Sequence, residues 1–151
     1  MLHEEAALAD EFGRLDGHDL DGEWLRTLIA RDPRKRQRMC VSTTEGKEAV
    51  THFEVTEFLG EVSLLRIRIE TGRTHQIRVH MHALHHALVG DPVYRGRHAG
   101  SAAGAARALS TFARQALHAT QLSFVHPRTR QTVSFEAPVP QDMQALLDAL
   151  Q

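Results

Sequence analysis

Only one of the 151 residues is cysteine, Cys40, and only two are tryptophan or tyrosine, Trp24 and Tyr94. A lone thiol closes no internal disulfide and builds no cysteine-based zinc site, a usage that fits a reducing, cytoplasmic setting. Cys40 reads as a small apolar filler in a strand. No apolar run approaches the roughly 18 residues that span a bilayer, so no membrane partner is expected. The opening MLHEEAALADEF is acidic, and reads as neither a secretory signal nor a transit peptide. A chain this long accommodates one domain with a real core, and two would be cramped.

Charge is abundant, and its two signs are segregated. Residues 1–25 hold eight acids against the single base Arg14, whereas residues 26–151 hold 17 basic and 11 acidic residues. The net of +6 on the main body lies behind a whole-chain charge of −1. The body is therefore more attractive to a polyanion than the total suggests. Beyond a short helix expected near Glu4 to Phe12, residues 1–25 have no sustained periodicity and read as a mobile acidic lead-in. Residues 26–151 read as the domain proper. Its first stretch, RTLIARDPRKRQRM, has six bases and one acid between Arg26 and Arg38, with a turn signal at Asp32-Pro33. This is expected to be a basic loop or arm.

Ala49 to Leu59 and Val62 to Glu70 are strand candidates around Gly60-Glu61, the spacing of a hairpin. In the second, Leu65, Ile67 and Ile69 share one face and Arg66, Arg68 and Glu70 the other. THQIRVHMHAL then switches to helical spacing at Ile77, Met81 and Leu84, with Thr74 as the expected N-cap. RHAGSAAGAARALS reads as a small-residue loop. A second hairpin is expected to turn at His126 to Arg130, and QDMQALLDAL as a terminal helix that packs Leu146, Leu147 and Leu150. Strands dominate, so the expected class is α+β with a mostly antiparallel mixed sheet and few helices.

The densest chemistry lies in ETGRTHQIRVHMHALHHALVGDPVY, Glu70 to Tyr94. His82 is three residues from His85 and four from His86, so helical pairs of ligands are conceivable. A catalytic zinc site needs a third ligand and often a carboxylate base, as in His-Glu-x-x-His. No Glu stands between these histidines, and the helical phase breaks at Ala87-Leu88-Val89-Gly90. No metal is expected, and the histidines are read as hydrogen-bonding or packing groups.

The arginines among them carry a different signal. RIETGRTHQIRVHMHALHHALVGDPVY resembles the signature of RluA-type RNA pseudouridine synthases, a Leu-Glu-Thr-Gly-Arg-Thr-His-Gln-Ile-Arg-Val-His run followed by Gly-Asp-Pro-x-Tyr. RDPRKRQRM with GKEAVTHFEV resembles the family's basic stretch and strand, and RQALHATQLSFVHP with FEAPVPQDM its closing segment. The resemblance runs in order from about Asp32 to Met143. It implies cleavage of the uridine glycosidic bond, rotation of the base and rejoining through C5, with no metal or organic cofactor. It also implies a partner, RNA of the ribosomal or transfer type, and a fold like the C-terminal portion of that family's domain. By motif position, Arg78 is the arginine that pairs with the catalytic aspartate, and Leu117 is the leucine that lines the pocket. Flipping the target uridine costs a few kcal/mol, to be offset by phosphate contacts. Arg34, Lys35, Arg36, Arg38 and Arg73 are the candidates. Arg73 and His75 alternatively hold the loop to the helix, His80 reads as structural, and Asp91 and Tyr94 as fixing the Gly-Asp-Pro turn.

The family's nucleophile lies in a His-Arg-Leu-Asp-x-x-Thr-Ser-Gly motif that this sequence lacks. Arg14-Leu15-Asp16 offers a partial match, but Gly13 stands where the histidine belongs and no Thr-Ser-Gly follows. Asp16 is thus a coincidental match, retained as the alternative nucleophile. The sequence is expected to be part of a synthase domain that is truncated or split, or an RNA-binding remnant. An open sheet edge would then pair with the missing half or with another copy. The enzyme and remnant readings are separated by whether an aspartate lies against Arg78.

Overall fold

The computed structural model describes residues 2–10, 23–94 and 103–151. Their strands are β1 (Leu2–Asp10), β2 (Glu23–Arg31), β3 (Met39–Ser42), β4 (Lys47–Leu59), β5 (Val62–Ile69), β6 (Leu117–Val125) and β7 (Thr132–Glu136). The helices are α1 (Gln76–Ala83), α2 (Ala103–Thr111) and α3 (Gln141–Leu150). Among the described residues the strands form one sheet in the order β3-β2-β4-β5-β1-β6-β7. Every pairing is antiparallel, in keeping with the α+β expectation. Both hairpins form where the turn residues lie, at Gly60-Glu61 and at His126 to Arg130. None of the described helices is long and apolar enough to cross a membrane.

Strand alternation decides which helix covers which face. Ala7, Ala9, Leu65 and Ile67, at odd positions of β1 and β5, are at most 1% exposed and pack with Ile77 and Met81 of α1. The even positions Ala6, Val62 and Leu64 turn the other way, onto Met143, Leu146 and Leu147 of α3 and Leu109 of α2. A third cluster of Ile29, Ala49, Val79 and Tyr94 sits where α1 meets β2 and β4.

Three expectations need correction. The short helix near Glu4 to Phe12 is strand β1, inside the sheet between β5 and β6, with 11 and 12 outside the described residues. Alanine and glutamate favour a helix locally, but pairing on both sides and the fit of Ala7 and Ala9 under α1 override a preference worth tenths of a kcal/mol per residue. Of the acidic lead-in, therefore, Leu2–Asp10 and Glu23–Leu25 stand in strands, and residues 11–22 lie outside the described residues. The small-residue loop is partly a helix. Ala103–Thr111 form α2, because alanine is the best helix former and Leu109 is buried against α3, while 97–102 lie outside the described residues. Third, only the second half of the basic arm is a loop, since Arg26 to Arg31 belong to β2, paired with β3 and β4.

Candidate functional site

The turn from β5 into α1 is organised by one buried amide. Gln76 is 3% exposed. Its Oε1 accepts the Arg73 N–H at 3.0 Å and the Thr71 hydroxyl at 2.8 Å. Its Nε2 donates to the Val50 carbonyl and to Thr51 Oγ1, both at 3.0 Å. This amide replaces the cap expected from Thr74: the N-cap is His75, in the left-handed region at φ 57°, with no side-chain cap. Such a backbone costs on the order of 1 kcal/mol for a non-glycine residue. It aims His75 Nδ1 at the Tyr94 hydroxyl, 3.0 Å away.

One turn further on, His80 is wholly buried between Thr51 Oγ1 and Thr27 Oγ1, each 2.8 Å from a ring nitrogen. Burial pulls its pKa down to about 4, so it is neutral and one nitrogen donates while the other accepts. His80 pins α1 to β2 and β4 and presents nothing to a ligand.

Arg78 leaves the same helix toward the Gly-Asp-Pro turn. Its Nε donates to Asp91 Oδ2 at 2.7 Å and its Nη2 to Asp91 Oδ1 at 2.8 Å, a fork-to-fork pair with side-chain exposures of 11% and 0%. Asp91 Oδ1 also accepts the N–H groups of Val93 and Tyr94, at 2.8 and 2.9 Å. Burial alone would raise the Asp91 pKa, but the hydrogen bonds from Arg78, Tyr94 and Val93 outweigh it and hold the carboxyl below its ordinary value. The hydrogen bond from Arg78 to Asp91 in turn raises the Arg78 pKa. Gly90 makes this turn possible. It sits at φ +72°, and a Cβ there would lie 2.1 Å from the Arg114 carbonyl oxygen.

An aspartate therefore does lie against Arg78, but it is not a candidate nucleophile. Both Asp91 oxygens are occupied and its side chain is inaccessible. The arginine, by contrast, keeps its Nη1 group out of that pair, so it is pre-oriented with an edge to spare.

Tyr94 joins this centre to the basic loop. Its ring lies beneath two guanidiniums, with Arg38 Cζ 5.0 Å and Arg78 Cζ 5.1 Å from the ring centroid. Its hydroxyl accepts the Met39 N–H at 2.7 Å, and a neutral His75 accepts the hydroxyl proton at Nδ1. Burial first, then the charge of Arg78, lowers the His75 pKa and favours that form. The loop itself is folded by Asp32, whose Oδ1 accepts the N–H groups of Arg34 and Lys35 at 2.8 and 3.1 Å. Arg34, Lys35 and Arg36 are exposed, and Arg38 is half-buried. Lys35, Arg36 and Arg38 face Pro92 and Val93 across a cavity of about 490 Å³.

The other anticipated residues are distributed as follows. Arg73 is half-buried and its Nε donates to the Glu48 carbonyl at 2.8 Å, tying the turn to β4. Leu117 is half-buried at the start of β6 and packs on the cluster that contains Ile77, next to Arg78 in the chain. Asp16 lies outside the described residues. Among the described residues no three His, Cys, Asp or Glu side chains are grouped to hold a metal ion. Sequence reasoning missed Asp91 as the partner of Arg78 and Gln76 as the organiser of the turn. A pairing across thirteen residues has no local period to betray it, though Asp in a turn just past an arginine-bearing helix is a usable hint.

This geometry meets an independent comparison. The model of a family described as RNA pseudouridylate synthase matches residues 6–83. The chain belongs to the RluA-type RNA pseudouridine synthase family. Within that family it is 50% identical over 131 residues to the "Ribosomal large subunit pseudouridine synthase D" of Neisseria meningitidis serogroup A, a match covering 86% of this chain and 35% of that protein. It is 45% identical over 137 residues to the protein of the same name in Escherichia coli, covering 89% and 42%. The chain thus spans between 35% and 43% of the length of such relatives. The solved structure of "Human RNA Pseudouridylate Synthase Domain Containing 1" superposes with a TM-score of 0.67 at 25% identity, over 99% of this chain and 65% of that one. "Human RNA Pseudouridylate Synthase Domain Containing 4" gives 0.72 at 18% identity, covering 99% and 62%, a likeness of fold alone.

Proposed function

We propose that this chain supplies the RNA-binding surface and the positioning arginine of a pseudouridine synthase acting on ribosomal RNA. In this reading the nucleophilic aspartate comes from a segment bearing the His-Arg-Leu-Asp motif. The observation that carries it is Arg78, locked by Asp91 with its Nη1 edge unspent, beside a cavity lined by Lys35, Arg36 and Arg38. A second carboxylate meeting that edge would be kept ionised and aimed by a charge-assisted pair, which is what a carboxylate nucleophile needs. Leu117 lines the pocket, and the loop cations with Arg73 grip backbone phosphates. Ribosomal rather than transfer RNA is favoured by the names of the relatives quoted above. Asp16 is the nucleophile only if the chain acts alone. The edge strand β7, where Phe135 is 59% exposed, is the surface for pairing with the aspartate-bearing segment or with a second copy.

The alternative is an RNA-binding remnant without chemistry, favoured by the absence of the motif and by the +6 charge of residues 26–151. Both readings require RNA binding that weakens with salt, at a log–log slope of about −0.7 per single-strand phosphate neutralised. Reversing charge at Arg34, Lys35 and Arg36 is expected to flatten the slope. An unchanged slope removes the loop from the interface.

A further inference from the structure

A second cavity, also about 490 Å³, is lined by Met39, the chain neighbour of the Arg38 that lines the loop cavity. Its walls come from the end of β2, the β3–β4 turn and the turn before α1, and they bring together Arg31, Lys47 and Arg73 with one carboxylate, Glu45. Three cations against one acid leave an excess of positive charge. Arg31 and Lys47 are exposed; Arg31 Nη1 donates to the Arg36 carbonyl at 3.4 Å, and the Lys47 side chain has no hydrogen-bond or ion-pair partner among the described residues. Arg73 spends only its Nε on the Glu48 carbonyl, which fixes the plane of the guanidinium and leaves its Nη groups for a ligand.

Gly72 in the same wall gives a separate indication. Its backbone is not in the left-handed region that demands glycine, and a Cβ built on it would meet nothing within 4 Å. With no side chain in that open space, the backbone of the wall is left bare for close approach of a ligand. The two cavities are also mechanically joined. Thr74 lines this one, its neighbour His75 holds the Tyr94 hydroxyl, and Tyr94 carries Arg78 and the Arg38 of the other cavity.

We propose that the cavity of Arg31, Lys47, Gly72 and Arg73 is a second subsite for the phosphodiester backbone of single-stranded RNA. The strand crosses the Arg78 centre with one phosphate in each cavity. Tyr94 and His75 hold the two grips at a fixed separation, so that the intervening nucleotide is presented to Arg78. This rests on the reading of the Arg78 centre as an RNA site.

The test is equilibrium binding of a uridine-containing single-stranded RNA to the full chain, titrated with salt. The variants are Gly72→Val, an Arg31→Ala/Lys47→Ala pair and a Lys35→Ala/Arg36→Ala pair. The substituted side chains of both pairs are exposed, so their loss leaves the core intact, and Gly72→Val is accommodated by the open space. Each variant is expected to bind about tenfold more weakly, and each pair to reduce the salt slope by about 0.7, the share of one phosphate. If Gly72→Val lowers the unfolding temperature, the Arg31/Lys47 pair alone decides. Wild-type binding by that pair, with binding lost in the Lys35/Arg36 pair, would overturn the second subsite and leave the RNA reading standing. A wild-type chain that binds no RNA would overturn both.

Discussion

The helix α1 region and the basic loop hold many of the molecule's polar side chains, and they treat them in opposite ways. On α1, Gln76, His80 and the Arg78–Asp91 pair are sunk in the fold with partners on more than one strand or turn. In the loop, Asp32 organises the backbone while the cations Arg34, Lys35 and Arg36 stay exposed. Buried polar groups that are fully satisfied specify one geometry, and exposed cations supply attraction. The contrast teaches that the histidine-rich stretch fixes where Arg78 stands, and that the loop brings an anion to it. Tyr94 is the contact between the two.

Breaking the buried side of this contrast is expected to cost most. Asp91→Ala leaves Arg78 without its partner and two turn N–H groups unanswered, so it should destabilise by about 3–5 kcal/mol in chemical denaturation. A loss below about 1 kcal/mol would mean that water reaches the pair.

The next effect is a pH dependence. His80 titrates near 6.5 in the unfolded chain and at about 4 in the fold, so the native state binds fewer protons. Its contribution is intact above pH 6.5 and is lost as pH falls through about 4, up to about 3 kcal/mol in all. Urea midpoints across that range measure it, and His80→Gln should remove this component.

Tyr94→Phe keeps the ring beneath the guanidiniums but leaves the Met39 N–H without its acceptor. The expected cost is about 1–3 kcal/mol of stability, with a larger fraction of the loss in the order of the loop, read by amide exchange at Arg38 and Met39. The smallest effect belongs to the loop. Alanine at Arg34, Lys35 or Arg36 should change stability by no more than about 0.5 kcal/mol while weakening RNA binding. A large stability loss there would erase the distinction between the two regions.

How much of this was legible follows the same division. The hairpins at Gly60-Glu61 and His126 to Arg130, α1 and α3 were readable because turn residues and apolar periodicity act locally. Strand β1 was not, because Glu4 to Ala9 prefer a helix in isolation and become a strand through neighbours far along the chain, Arg68 to Ser63 on one side and Gln121 to Leu117 on the other. The helix α2 was hidden by its small residues, whose alanines favour the helix but carry little apolar pattern. At the site, the run around Arg78 was legible as a family signature, and the exposed loop cations as a charge cluster. The Asp91 grip, the Gln76 hub and the αL turn at His75 were not, since each depends on three-dimensional closure between segments.

Whether the nucleophile comes from outside this chain is read by tritium release from RNA labelled at uridine C5. The assay would compare the chain alone with the chain mixed with an aspartate-bearing segment from a relative. No release is expected from the chain alone, although RNA is bound, and release is expected from the mixture that Arg78→Ala abolishes. Release by the chain alone that disappears with Asp16→Ala would contradict that expectation, and would put the nucleophile in this chain.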